Sequence, residues 1–262
     1  MRIYIPTMGR VGKQAPLGQL SSHWLERTWL VVPPEERDAH RYDRVLVCPE
    51  RGIARTRQWI IDHAEDPYIY MVDDDVRFNR WDAERRSLRT CKGAQLDVGL
   101  GQLERWLFDG VVMVGFGMRL HADVHVGSSF RECGRLCDNY GFRVQDFRRL
   151  GIRFDRVEVL EDIDVTLQLL TRGFPNRISN WFSVGSGERS ARGGCSTYRD
   201  AAMQARAAQF LVEQFPAFVK LTPRDTWDQM GNRIDVVVGW RKAYGARKGH
   251  PGFCQPTLLP GP

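Results

Sequence analysis

The first half of the chain alternates short apolar blocks with amphipathic stretches, and each apolar block ends in a polar turn. That pattern predicts β-α-β units and a mixed, mainly parallel sheet flanked by helices. "RIYIP" (2–6) reads as a first strand stopped by Pro6, and a glycine-bearing loop, Thr7 to Gln14, leads to a helix over Leu17 to Arg27. "TWLVVP" is the second strand, "RVLVCP" the third, "IARTRQWIIDHA" a helix and "YIYMV" the fourth strand. Polar groups at the strand ends would then collect at the carboxyl edge of the sheet, where open α/β sheets bind ligands.

The middle is less regular. Residues 77–93 are arginine-rich and read as a loop, "AQLDVGLGQLERWLFD" has helical spacing, and "VVMVGFGM" reads as a buried strand. A strand is predicted within "NYGFRVQDFRRLGIRF", a helix at "EDIDVTLQLLTRGF" and a strand at "NRISNWFSVGS". "STYRDAAMQARAAQFLVEQF" predicts a long helix capped by Ser196 or Thr197 and ended by Pro216. Residues 1–244 form one domain in this reading, and 245–262, with four prolines and four glycines, form an irregular tail.

Against this pattern one stretch stands out, the three adjacent carboxylates Asp73, Asp74 and Asp75 at the end of the fourth strand. A run of like charge is ordinarily a solvated loop. Here an apolar strand delivers it, and residues two apart share a face, so Asp73 and Asp75 point one way and Asp74 the other, bracing the turn. Two hard oxygen donors suit Mg²⁺ or Mn²⁺. Glu161, Asp162 and Asp164 open a later helix, where they complement the helix dipole or face a substrate.

Composition narrows the field. A chain of 262 residues with 42% hydrophobic content and eight tryptophans is not disordered. No apolar run approaches the ~18 residues that cross a membrane, and the polar N-terminus lacks a signal peptide, so a soluble, cytoplasmic protein is expected. The formal charge is +6. Six cysteines without a CxxC pair suit free thiols in a reducing compartment. His121, His125, Cys133 and Cys137 are zinc-ligand types within 17 residues, but their spacing matches no zinc module. Alternation along a strand, then two thiols one helical turn apart, is the plainer reading.

"IPTMGR", "GIARTRQW" and "YMVDDD" together resemble the nucleotide-sugar glycosyltransferases of GT-A fold. Pro6, Thr7 and Arg10 fit that superfamily's first turn; Gly52, Ala54, Arg57 and Gln58 fit its second element, Gln58 replacing the usual Asn. The resemblance implies that Pro6, Thr7, Gly9 and Arg10 border the nucleotide and that Arg57 approaches the diphosphate or the base. It implies that Asp73 and Asp75 hold ribose and metal, Asp74 belonging to the same donor-binding set. Glu35 lies where an acid often meets uracil; "VGFGMR", with Gly115 and Gly117 giving close backbone approach and Arg119 beyond, is a candidate wall of the donor-sugar pocket and reads equally as a glycine-containing core strand. "VLEDIDVTLQLLTRGF" is similar to the E-D element of inverting members, which gives Glu161 and Asp162 catalytic roles, with Asp162 the general base.

Three basic stretches interleave aromatics, "RFNRWDAERRSLR", "FRVQDFRRLGIRFDR" and "GWRKAYGARKGH", which suits phosphate contacts and base stacking as well as it suits solvated faces. With "RGGCSTYR" and "WRKAYG", the motifs resemble the TET-associated DNA glycosyltransferases, bacteriophage enzymes related to the base J glucosyltransferases, over roughly residues 1–245. This implies transfer from a UDP-sugar, with Mn²⁺ or Mg²⁺, to the hydroxymethyl group of 5-hydroxymethylcytosine or 5-hydroxymethyluracil in DNA. The partner upstream would be a TET/JBP-type dioxygenase, and the compartment the host cytoplasm. The base would be flipped, with Phe78, Trp81 or Tyr140 stacking on it. "GSGERSARGG", with Arg189 and Arg192, reads as a loop closing over the donor, and Cys195 is not a nucleophile. A GT-A enzyme with a small-molecule, protein or saccharide acceptor is the alternative. A metal-dependent nuclease or phosphotransferase fits the "IPTMGR" turn less well, and a non-catalytic DNA-binding module leaves the two acidic clusters unexplained.

Overall fold

The computed structural model describes residues 1–118, 128–186, 198–224 and 233–246. Its first half follows the apolar blocks: β1 (Arg2–Pro6), a 3-10 turn (Ala15–Gly18), α1 (Ser22–Leu25), β2 (Thr28–Val32), β3 (Val45–Val47), α2 (Ile53–His63) and β4 (Tyr68–Val72). Then come β5 (Val76–Asp82), β6 (Ser87–Thr90), α3 (Ala94–Phe108), β7 (Met113–Met118), β8 (Phe130–Glu132), β9 (Asn139–Arg143), α4 (Val144–Arg149) and α5 (Glu161–Thr171). β10 (Arg177–Ser186), α6 (Ala201–Gln214), the hairpin β11 (Val219–Arg224) and β12 (Arg233–Val238), and α7 (Trp240–Gly245) complete it.

A ten-stranded sheet runs β3-β2-β1-β4-β9-β7-β10-β5-β6, with β8 pairing β10. Its β3-β2-β1-β4 part is wholly parallel, β7 and β10 are parallel, and β9 enters antiparallel between β4 and β7. This mixed sheet flanked by helices is the GT-A architecture that the motifs imply. One face packs α3 through Leu96, Leu100, Leu103 and Leu107 against Ile3, Tyr70, Val114 and Phe116. The other packs α2, α4 and α5 through Ile60, Phe147 and Val165 against Met71, Met113 and Phe142. A third core joins α5 to α6, α7 and the β11–β12 hairpin. No helix among the described residues is long and apolar enough to cross a membrane.

Four local expectations change. The helix over 17–27 is only a 3-10 turn and the single turn α1, because Gly18 and the Ser21-Ser22 pair interrupt it. Residues 77–93 are not a loop: most form the β5–β6 hairpin, with Val76 and Phe78 buried and Arg77 outward, the arginines masking the period of two. The cap of α6 is Asp200, which accepts from the Met203 N–H at 2.6 Å, in place of Ser196 or Thr197, which lie outside the described residues. "WRKAYG", at the margin of the expected tail, is helical as α7.

Candidate active site

Beyond the carboxyl end of β4 the three aspartates lie in a turn and divide by partner, Asp74 and Asp75 meeting Arg10 and Asp73 meeting Arg57. Asp74 is 5% exposed; its Oδ2 accepts from Thr7 Oγ1 at 2.6 Å, and its Oδ1 meets Arg10 Nη1 at 2.5 Å. Burial raises the Asp74 carboxyl, against the lowering pull of Thr7 and Arg10. Asp75 keeps 30% of its side chain exposed and lies 3.0 Å from the same Arg10 nitrogen. Gln14 locks the turn by donating to Thr7 Oγ1 and to the Arg10 carbonyl at 3.1 and 2.6 Å. Thr7 and Arg10 thus fold the first turn onto the Asp cluster. Pro6 pairs with Val31, and Gly9, at φ +71°, donates its N–H to Glu36 at 2.7 Å. Glu35 is exposed, and both its oxygens meet Arg51 at 2.8 Å, a pairing that lowers its pKa.

Arg57 is the link between the two acidic groups. It projects from the second turn of α2, whose first N–H, that of Ile53, donates to the Tyr198 hydroxyl at 3.0 Å. Its buried guanidinium binds Asp73 at 2.5 Å and also Glu161, and lies 4.8 Å over the Tyr140 ring. Asp73 is nonetheless pushed up to about 7: burial dominates, neighbouring Asp138 and Asp75 add to it, and Arg57 opposes it. Burial raises Glu161 as well.

The helix α5 brings its acids in through an unusual entry. Leu160, buried, precedes Glu161 in a left-handed conformation at φ +62°, costly for a bulky side chain and therefore imposed by its surroundings. Asp162 accepts from Arg135 Nε at 2.8 Å, and Glu161 is committed to Arg57. Asp164 faces the interior instead. It takes Gln168 Nε2 at 2.7 Å and Arg156 Nε at 3.6 Å, leaves Oδ1 without a partner, and is raised to about 6 by burial. It belongs to the core and is dropped from the candidate bases.

Two site residues escape sequence reasoning. Asp138, at φ +63°, accepts the Asp73 N–H on its carbonyl at 2.9 Å and a hydrogen bond from Cys137 Sγ at 2.9 Å; burial raises its carboxyl. Arg135 holds Asp162. Both sit in "RECGRLCD" (131–138), which carries no periodicity and no motif; its concentration of charge and sulfur just before an apolar strand was the available signal.

Other expectations fall to packing. Phe78 and Tyr140 are core side chains and cannot stack on a flipped base, and Trp81 is half-buried. A Cβ on Gly115 would come within 2.6 Å of Leu136, so this glycine serves close packing. Cys133 and Cys137 lie between β8 and β9, not one helical turn apart, and no three His, Cys, Asp or Glu among the described residues converge as a metal cluster. Arg119, His121, His125, Arg189, Arg192 and Cys195 lie outside the described residues. The arginines of "FRVQDFRRLGIRFDR" are largely committed internally: Arg143 and Arg149 bind Asp146, Arg148 binds the carbonyls of Ile61 and Ala64, and Arg153 binds Asp155.

Comparison with known proteins gives this geometry a family. A model of the TET-associated glycosyltransferases matches residues 1–194. The Beta-glucosyl-HMC-alpha-glucosyl-transferase of Enterobacteria phage T2 is 26% identical over 237 residues, covering 82% of this chain and 81% of that protein. Its namesake in phage T6 is 25% identical over 232 residues, with the same coverage. A mycobacterial protein of known crystal structure superposes with a TM-score of 0.52 at 10% identity, over 90% of this chain and 83% of that one. With three quarters of its length matched by the family model and its acidic groups gathered at one sheet edge, the chain belongs to the TET-associated glycosyltransferase family and is a glycosyltransferase.

Proposed function

We propose that the enzyme transfers a sugar from a UDP-sugar to the hydroxymethyl group of 5-hydroxymethylcytosine, or of 5-hydroxymethyluracil, in DNA. The observation that carries this reading is Arg57, which ties Asp73 at the end of β4 to Glu161, the neighbour of Asp162 at the start of α5. This shared arginine supports a reading in which the donor-binding and acceptor-facing carboxylates serve one site. Asp73 and Asp75 would hold a divalent cation, Mn²⁺ or Mg²⁺: burial lifts Asp73 to about 7 and Asp138 and Asp75 add to the rise, so a cation there would favour the ionised carboxylate. When bound, the ion neutralises the diphosphate and the charge developing on UDP.

The chain's own residues do the rest. Asp162, held by Arg135, takes the proton from the attacking primary alcohol, a poor nucleophile unaided. Asp74 fixes the turn of Thr7 and Arg10 beside the nucleotide. Glu161, buried and tied to Arg57, braces the site beside the base. DNA as the acceptor is supported by the phage relatives named for HMC and by the β5–β6 hairpin. From Arg77 to Lys92 that hairpin and its flank carry six cations and two acids, with no ion pair among the described residues. The proposed upstream partner is a TET/JBP-type dioxygenase, which would supply the hydroxymethylpyrimidine by oxidising a methylpyrimidine.

A second acceptor follows from the relatives' printed name, which specifies an HMC already bearing a beta-glucosyl group. The decisive experiment offers UDP-sugars with Mn²⁺ or with chelator to four DNAs: unmodified, hydroxymethylcytosine, hydroxymethyluracil and β-glucosylated hydroxymethylcytosine. Nucleoside mass spectrometry reads the result. Metal-dependent transfer to a hydroxymethyl DNA supports the first reading, transfer only to the glucosylated DNA the second, and transfer to none of them refutes both.

A further inference from the structure

The segment that supplies Arg135 and Asp138 begins with a third charged residue, which nothing above uses. Arg131 on β8 is half-buried, and burial lowers its pKa with no acid to oppose it. Its one hydrogen-bond partner among the described residues is neutral: Nη1 donates to Asn180 Oδ1 at 2.8 Å. Asn180 is fixed in turn, its N–H donating to the Ser129 carbonyl and its side chain to the Ser128 carbonyl, each at 3.0 Å. A guanidinium held away from water with a neutral partner is costly, and an incoming anion is what offsets that cost.

Its position is that of the site. Asp73 is tied to Asp138 and Val72 pairs with Asn139, while the Asn139 side chain accepts the Phe116 N–H. Gly117, the next residue of β7, therefore stands close to the level of Asp73 and Asp138. Strand alternation turns Gly117 to the face of Gly115, which meets Leu136 in the core shared with α2 and α5. Arg131 covers Gly117: a Cβ there would stand 3.1 Å from the Ser179 carbonyl and 3.3 Å from Arg131 Nη1, so the glycine gives the guanidinium close access to the strand. Arg131 thus lies on the same face as Arg57 and Asp162, across β9 from the donor carboxylates. Arg10 and Arg57, by contrast, are already neutralised by aspartates and a glutamate.

We propose that Arg131, oriented by Asn180 over Gly117, binds a backbone phosphodiester of the acceptor DNA beside the base that receives the sugar. This rests on DNA being the acceptor. Of the two anions in that reaction, the diphosphate belongs at Asp73 and Asp75, on the β4 side. The phosphodiester belongs beyond Asp162, where Arg131 offers a planar fork matched to phosphate.

The test compares the parent enzyme with Arg131→Gln and Arg131→Lys on a hydroxymethylcytosine oligonucleotide. A second oligonucleotide carries neutral methylphosphonates at the linkages flanking the modified base. Arg131→Gln should raise KM for the ordinary oligonucleotide about tenfold or more, the usual weight of a charge-assisted hydrogen bond. UDP affinity in the presence of Mn²⁺ should not change, and Arg131→Lys should recover part of the loss. The parent enzyme should lose a similar factor on the methylphosphonate strand, and Arg131→Gln should lose little more there, since both changes remove one contact. The dependence of log KM on log salt should flatten by roughly 0.7 to 0.9 in slope. Equal, additive losses on both strands, an unchanged KM for DNA, or weakened UDP binding would overturn the assignment. A parent enzyme that glycosylates no DNA overturns the acceptor reading and this contact with it, whereas an active parent with an unaffected Arg131→Gln overturns the contact alone.

Discussion

Arg57 Nη2 of α2 stands 2.5 Å from Asp73 Oδ1 at the end of β4, and the other arm of the same guanidinium holds Glu161 of α5. Removing the arginine leaves two acids confined without a counter-ion. Arg57→Gln is expected to abolish transfer and to cost about 3–5 kcal/mol in stability, the range for an orphaned buried charge. The double variant with Glu161→Gln should regain part of that stability and none of the activity. Denaturant melts of the three proteins measure this; a single variant as stable as the parent would contradict it.

The three aspartates of β4 should separate by readout. Asp74→Asn weakens contacts to Thr7 and Arg10 and should lower stability by about 1–3 kcal/mol. Asp75→Asn should leave the melt nearly unchanged while weakening Mn²⁺-dependent UDP binding. Asp73→Asn should weaken that binding as well. Calorimetric titration with UDP beside thermal melts ranks them, and identical profiles for Asp74 and Asp75 would remove the distinction.

Asp162→Asn is expected to lower kcat by about 10²- to 10⁴-fold, the typical contribution of general-base catalysis, with UDP affinity near that of the parent. A base acting in direct displacement also inverts the anomeric carbon. The anomeric proton coupling of the product therefore gives a second test, and a product that keeps the donor's configuration removes Asp162 from this role.

Asp164 predicts a pH effect on stability. Its carboxyl is raised to about 6 in the folded protein from 3.8, so the native state holds the extra proton between those values and stability falls as pH climbs through them. Asp164→Asn lacks that fall. Relative to the parent it should gain up to about 3 kcal/mol between pH 4 and pH 7, at 1.4 kcal/mol per unit. Melting curves at the two pH values decide, and parallel shifts would refute the assignment.

How much of this was legible in the chain depended on whether a residue's role is local. The strands β1 and β4 announced themselves by apolar runs ending in Pro6 and in the Asp cluster, and α5 by its acidic first turn. Period two marked Asp74 as the buried brace of the turn, but β4 ends at Val72, and Asp75 shares Arg10 with Asp74 while Asp73 pairs with Arg57. The role of Arg57 as a bridge was not legible, because its partners lie 16 and 104 positions away. Arginine count misled in both directions. It hid the β5–β6 hairpin behind what looked like a loop, and in "FRVQDFRRLGIRFDR" it did not show that Arg143 and Arg148 are spent on an acid and on carbonyls of the fold while Arg149 and Arg153 stay half exposed. The segment 131–138 was silent because the pairing of β9 with β4, not local sequence, brings Asp138 to Asp73.

Leu160 carries one more consequence. Its left-handed backbone sets the direction in which Glu161 and Asp162 leave the chain, and its side chain is buried in the core cluster that includes Ala207, Leu211 and Ala243 of the C-terminal helices. The family model stops at residue 194, yet the hand that aims the acids is closed by residues after it. A fragment cut there would keep every proposed reacting group and lose the aim.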